Sequence, residues 1–219
     1  MARIEYSDPA KHNDRTREIL GKNRNANIFR MMAHSPSYFE QYCRLGGAIR
    51  HKGELDPIVR ELAITRTGIL CEAPYEIVAH KRIGKNVGVT DEQNEALENW
   101  QSATCFNEVQ RAALAFTDEI VKLHKPTDAT FNAIASKLTP AALVELQLSV
   151  GFYIMTSKFL ETFAIDHAAG HGSGELTDVP RRWLSASQAR IVAAPPASIP
   201  RRRRRRCHLR RRGPTARPW

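Results

Sequence analysis

Apolar positions recur along most of this chain at three- and four-residue intervals, and strand-type alternation is nowhere sustained. The pattern predicts an all-α protein. A first amphipathic segment runs from about Arg15 to Met32 and ends near His34-Ser35-Pro36; a second follows from Pro36 to about Arg50. After Gly53, Pro57 opens a third helix that reaches about Leu70. Cys71-Glu72-Ala73-Pro74 then interrupts, with Pro74 suited to the first turn of a fourth helix that Gly88 stops. Thr90 and Gln93 have capping-box spacing for a short helix toward Trp100. Asn107 suits the start of a helix from Glu108 to His124, and Thr127 one to about Leu138. Thr139-Pro140 begins the longest apolar run, from Ala141 to about His167. Glu145, Lys158, Glu161 and Asp166 interrupt that run, so it is expected as a core or subunit-interface helix rather than a membrane span.

Two of these helices carry ionisable groups where the pattern calls for apolar ones. At 100° per residue, Ala79, Ile83 and Val87 share one stripe of the fourth helix, and Glu76 and His80 fall inside it rather than among Lys81, Arg82 and Lys85. On the third helix Arg66 sits near the middle of the stripe formed by Ile58, Leu62 and Ile69, and Glu61 borders it. Polar groups so placed need partners or a task. Glu61, Arg66, Glu76 and His80 are therefore expected to converge.

A chain of 219 residues suits one domain with a substantial core. Its net charge of +10 joins two unlike parts. Residues 181–219 hold 13 arginines and no other Lys, Asp or Glu, which leaves 20 basic against 23 acidic side chains before them. Composition shifts after Gly170, first to Gly and Ser, then to Pro195-Pro196 and the run Arg201 to Arg206. This predicts a helical domain over 1–170 and a disordered Pro/Arg-rich tail over 171–219. The arginine run could bind phosphates or anionic lipid. It has no interleaved aromatics for base stacking, so no specific nucleic-acid partner is expected.

Cys43, Cys71, Cys105 and Cys207 lie far apart without metal-ligand spacing and are read as free thiols. Asp166, His167 and His171 are ligand types at helical spacing, but Gly170 and Gly172 mark a helix end, so capping is expected there and no metal. With no apolar signal-peptide core and no stretch near 18 uninterrupted apolar residues, the expectation is a cytoplasmic protein without a transmembrane segment.

The segment Arg60-Glu61-Leu62-Ala63-Ile64-Thr65-Arg66 followed by Tyr75-Glu76-Ile77-Val78-Ala79-His80 resembles the carboxymuconolactone decarboxylase family. The likeness continues upstream through Asn27 to Pro36 and downstream through Ala113–Glu119 and Leu143–Met155, covering roughly residues 20–166. It implies an alkyl hydroperoxidase D-like helical fold, protomers assembled as trimers or hexamers, and sites near subunit contacts. The hydroperoxidase branch of this superfamily carries a glutamate, a Cys-x-x-Cys pair and a histidine four residues after the second cysteine. Here the glutamate matches Glu61 and the histidine His80, while the cysteine positions hold Ala73 and Glu76. A dithiol peroxidase needs an attacking thiolate and a resolving thiol, so the resemblance favours the non-redox branch.

The activity implied by the family name is a cofactor-free decarboxylation of a carboxylated lactone. In that reading His80 supplies the proton to carbon and Glu61 orients it. Arg66 would grip a substrate carboxylate, Tyr75 would hydrogen-bond the substrate, and Glu76 would share the proton network. Each has a plainer rival: Arg66 with Glu61 or Glu76 as a buried ion pair, His80 as a satisfied core histidine, and Tyr75 partly as core. Two other functions stay open, an alkyl hydroperoxidase-like antioxidant and a non-enzymatic RNA- or lipid-binding module acting through the tail.

Overall fold

Eleven consecutive residues, Val59 to Ile69, are buried, so the helix that contains them has no solvent face. The rest of the molecule is arranged around that helix. The computed structural model describes residues 2–166. Among the described residues are nine α-helices and no strand: α1 (Asp14–Lys22), α2 (Asn27–Met32), α3 (Pro36–His51), α4 (Pro57–Leu70), α5 (Pro74–Val87), α6 (Asp91–Ala96), α7 (Glu108–Leu123), α8 (Asp128–Ala135) and α9 (Pro140–Phe163). Short 3-10 turns lie at Pro9–Lys11 and Leu97–Asn99.

The buried helix is α4, and α5, α7 and α9 pack on it from three sides. Val59 and Ala63 join Phe116 of α7 and Leu146 of α9 in one cluster. Leu62 and Ile69 meet Ile77 of α5 and Leu114 of α7 in a second. Ile64 meets Phe152 and Tyr153 of α9 in a third. A helix covered all round has no polar face, so the polar residues of α4 must find partners inside the protein. Thr67, for example, donates its hydroxyl proton to the Ala63 carbonyl at 2.8 Å.

The helix starts follow the local chemistry. Thr90 with Gln93 and Asn107 with Gln110 form complete capping boxes at α6 and α7, and Thr127 and Thr139 cap α8 and α9. Pro57, Pro74 and Pro140 occupy first turns, and Gly88 closes α5 in the left-handed region. Two boundaries differ from the sequence expectation. The segment Arg15–Met32 is two helices, split where Arg24 and Asn25 adopt φ of 54° and 51°. Periodicity reads across the break because Ile19 and Leu20 on one side and Ile28 and Met31 on the other all turn inward. The last helix ends at Phe163, short of His167, because Ala164 enters the left-handed region.

Two glycines bring α4 and α5 close together. A Cβ on Gly68 would stand 3.2 Å from the Glu76 Cβ, and one on Gly84 would stand 3.6 Å from the Glu61 Cβ. Both near approaches fall beside a carboxylate of interest. Among the described residues no helix is long and apolar enough to cross a membrane. The expectations for the 171–219 tail, for His167 and His171, and for Cys207 lie outside the described residues.

Candidate active site

Glu61 and His80 face each other across the α4–α5 contact. The His80 Nδ1 donates to Glu61 Oε2 at 2.7 Å, and Arg60 Nε donates to the other oxygen, Oε1, at 3.1 Å. Both oxygens of this buried carboxylate are thus held. On its other side the His80 Nε2 lies 3.3 Å from Glu76 Oε2, one turn back on α5. An imidazole between two carboxylates results, all three side chains nearly inaccessible to solvent.

The charges reinforce one another. Burial works against the imidazolium, but the bonds to Glu61 and Glu76 and their charges outweigh it and push His80 up to about 9. Burial likewise works against ionisation of Glu61, and His80 and Arg60 outweigh it, holding the carboxyl below the ordinary range. The pair is therefore an imidazolium and a carboxylate at neutral pH.

A cavity of about 410 Å³ opens beside this row, within the size range of small-molecule sites. His80, Glu76 and Tyr75 line it, while Glu61 lies behind them. Burial, followed by the charge of Glu76, pushes the Tyr75 phenol up to about 12, so it remains a proton donor. Tyr42 of α3 and Tyr153 of α9 form aromatic walls: Tyr153 meets His80 edge-on at 4.6 Å between ring centroids, and Tyr42 stacks on Phe152 at 4.6 Å.

Residues 36–119 match the sequence model of the Carboxymuconolactone decarboxylase family. Through this segment, somewhat over a third of the chain, the protein is similar to that family. It is similar to uncharacterized protein YnjA of Escherichia coli (strain K12), 25% identical over 118 residues, which are 52% of this chain and 64% of that protein, just under two thirds. It superposes on the alkylhydroperoxidase AhpD core of an uncharacterized peroxidase-related protein from Ralstonia eutropha JMP134, with TM-score 0.69 and 21% identity over 77% of this chain and 93% of that one. It also resembles the debrominase Bmp8 in complex with 2,3,4-tribromopyrrole, with TM-score 0.62 and 16% identity over 71% and 85% of the two chains. At these identities the two structures establish the fold alone, the alkyl hydroperoxidase D-like helical fold.

Within the matched segment Glu61, Glu76, His80 and Tyr75 come together as the sequence predicts, and Arg66 does not join them. Its Nε and Nη2 donate to Asp118 Oδ1 and Oδ2 at 2.6 and 2.9 Å, and its Nη1 donates to the carbonyls of Leu97 and Glu98 at 2.8 and 3.0 Å. The expected substrate clamp is a structural tie between α4, α7 and the 3-10 turn. A helical stripe specifies direction only as far as the neighbouring helix, and Arg66 points to α7 where Glu61 points to α5.

Of the three arginines that line the cavity, Arg24 and Arg82 are exposed, and Arg50, near the end of α3, is half-buried. Sequence patterning missed it because Arg50 sits among polar residues at a helix end, where basic side chains are ordinary. Tyr42, Tyr153 and Arg60 escaped notice likewise. Arg60 alone carried a local signal, its position beside Glu61. Among the described residues no group of three His, Cys, Asp or Glu side chains is arranged to hold a metal ion. Cys71 caps α4 half-buried, and burial pushes its thiol up, away from the thiolate form that reacts.

Proposed function

We propose that this protein is a cofactor-free carboxy-lyase acting on a small carboxylated lactone of the 4-carboxymuconolactone type, as in the breakdown of aromatic compounds. One observation carries the reading: the Glu61–His80–Glu76 row presents a held imidazolium to a cavity sized for such a molecule. In the substrate the departing carboxylate is vinylogous to the lactone carbonyl. As the bond to that carboxylate breaks, its electron pair enters the conjugated lactone as a dienolate, and carbon dioxide leaves. The dienolate carbon then takes a proton, so neither metal nor pyridoxal is needed as an electron sink.

His80 donates that proton from Nε2, the nitrogen on the cavity side with the longer contact. Nδ1 stays bonded to Glu61, which fixes the ring and stabilises its charge. Glu76 balances the imidazolium at the cavity wall, which removes the difficulty of an extra anion beside an anionic substrate. Solvent returns the proton to His80 after each cycle. Tyr75 donates a hydrogen bond to the bound acid.

A dithiol peroxidase reading has less support, since Ala73 and Glu76 stand at the thiol positions and the Cys71 thiol is held protonated. The proposal also includes a cytosolic setting and a trimeric or hexameric assembly. The second is supported by Val144, Leu148 and Met155, 58, 51 and 50% exposed along one stripe of α9.

The test follows the ultraviolet absorbance of enzymatically generated 4-carboxymuconolactone with the purified full chain and with His80→Gln. Turnover by the wild type that drops about a hundredfold or more in the variant is expected. A folded wild-type protein that leaves the lactone untouched overturns the reading.

A further inference from the structure

We propose that Arg50 is the anion-binding residue of the cavity, receiving a carboxylate of the ligand on its guanidinium fork while Tyr153 holds it in position. The inference rests on reading the cavity as a substrate site and adds the group that selects for acids.

Three other arginines drawn into the fold are tied to a carboxylate or to several carbonyls. Arg66 has Asp118 and two carbonyls, Arg111 donates to the carbonyls of Trp100, Gln101 and Ala103, and Arg60 has Glu61. Arg50 differs. Among the described residues its one hydrogen-bond partner is the Tyr153 hydroxyl, which accepts from Nη1 at 3.3 Å, a long contact with a neutral group. No carboxylate touches it, although it is half-buried and lines the cavity. A guanidinium has five N–H donors and cannot shed its charge. One placed in a concave site with most of its donors unused is built to take an anion.

The surroundings hold it there. Gly46, one turn earlier on α3, leaves the room it occupies; a Cβ at that position would stand 3.2 Å from Arg50 Nη1 and 3.0 Å from Phe152 Cζ. Tyr153 links the two working ends of the site. Its hydroxyl accepts the hydrogen bond from Arg50, and its ring packs edge-on against His80. A planar acid lying between Tyr42 and Tyr153 would direct its carboxylate to Arg50 and a ring carbon toward His80.

The probe is 2-furoate, a flat five-membered-ring carboxylate, with methyl 2-furoate as its uncharged counterpart. Binding to the full chain is measured by titration calorimetry for wild type, Arg50→Gln, Arg50→Lys and Tyr153→Phe. Wild type should bind furoate in preference to the ester. Arg50→Gln should weaken furoate binding about 10- to 100-fold and leave the ester unchanged, with Arg50→Lys between. Tyr153→Phe keeps the packing and removes the anchor, so it should weaken furoate a few-fold and independently reports on the idea should Arg50→Gln fold poorly. Equal furoate affinity in wild type, Arg50→Gln and Tyr153→Phe, or no furoate binding by wild type, overturns the proposal. Lactone turnover is not read, so failure of the lyase reading and failure of this one are separate results.

Discussion

Two charged groups on α4 lie five residues apart, both buried, and meet opposite fates. Arg66 finds a bidentate carboxylate and two carbonyls on the α7 side, and Asp118 in turn receives Lys122 at 2.9 Å. Every nitrogen of the guanidinium has a protein partner. Glu61, on the α5 side, is equally enclosed, but its partner His80 opens onto a cavity and turns its second nitrogen to Glu76 at the cavity wall. Burial and charge are shared by both. What separates structure from chemistry is whether the hydrogen-bonding capacity of the cluster is used up inside the protein or left facing a space a ligand can enter.

The largest expected effect tests the Arg66 side. Asp118→Ala leaves a guanidinium buried without its carboxylate and should cost about 3–5 kcal/mol of folding stability in urea unfolding, while an Arg66→Met/Asp118→Leu double variant should recover much of that. A small change in Asp118→Ala would mean that the tie is not buried in solution. Glu61→Gln addresses the other side. It keeps an acceptor for Nδ1 and removes the charge that sustains the imidazolium, so lactone turnover should fall on the order of a hundredfold, with the helical circular dichroism spectrum retained. Turnover near the wild-type rate would show that Glu61 is as purely structural as Asp118.

The two sides also differ in their response to pH. His80 rises from the ordinary 6.5 to about 9 on folding, so its contribution is fully present below about 6.5 and is lost as pH rises through about 9. Glu61 is depressed on folding, so its contribution is present above the ordinary carboxylate range and is lost as pH falls through its lowered value. Wild type should lose stability on the order of 1–3 kcal/mol between pH 6.5 and 9, and His80→Gln should not. Parallel curves for the two proteins would remove the imidazolium from the account. Turnover should fall over the same alkaline range, because the proton donor is being lost. The smallest effect lies away from both clusters. Thr90→Ala breaks one capping box and should cost about 1 kcal/mol in thermal unfolding, without altering turnover.

Much of the architecture was legible along the chain because its causes are local. Capping side chains, prolines in first turns and the glycine after α5 act within a few residues of the boundaries they set. The pairing of Glu61 with His80 was legible through spacing and family resemblance together, since stripe position alone favours a satisfied core histidine. The split between α1 and α2 was hidden because two short helices with inward-facing residues read as one period. Arg66 was misread for a related reason. Patterning shows that a residue faces inward and says nothing about which neighbour waits there.

Arg50 and Tyr153 could be placed at the site only by tertiary structure. They stand 103 residues apart on α3 and α9 and meet because α4 carries other helices on three sides. Sequence by itself determined which segments become helices, which of them must be buried, and that charged groups would be enclosed with them. The direction each charge takes, toward Asp118 or toward a cavity, depends on the packing of helices remote in the chain. Hydrogen bonds and Coulomb forces act over a few ångströms of space, and separation along the chain does not enter them.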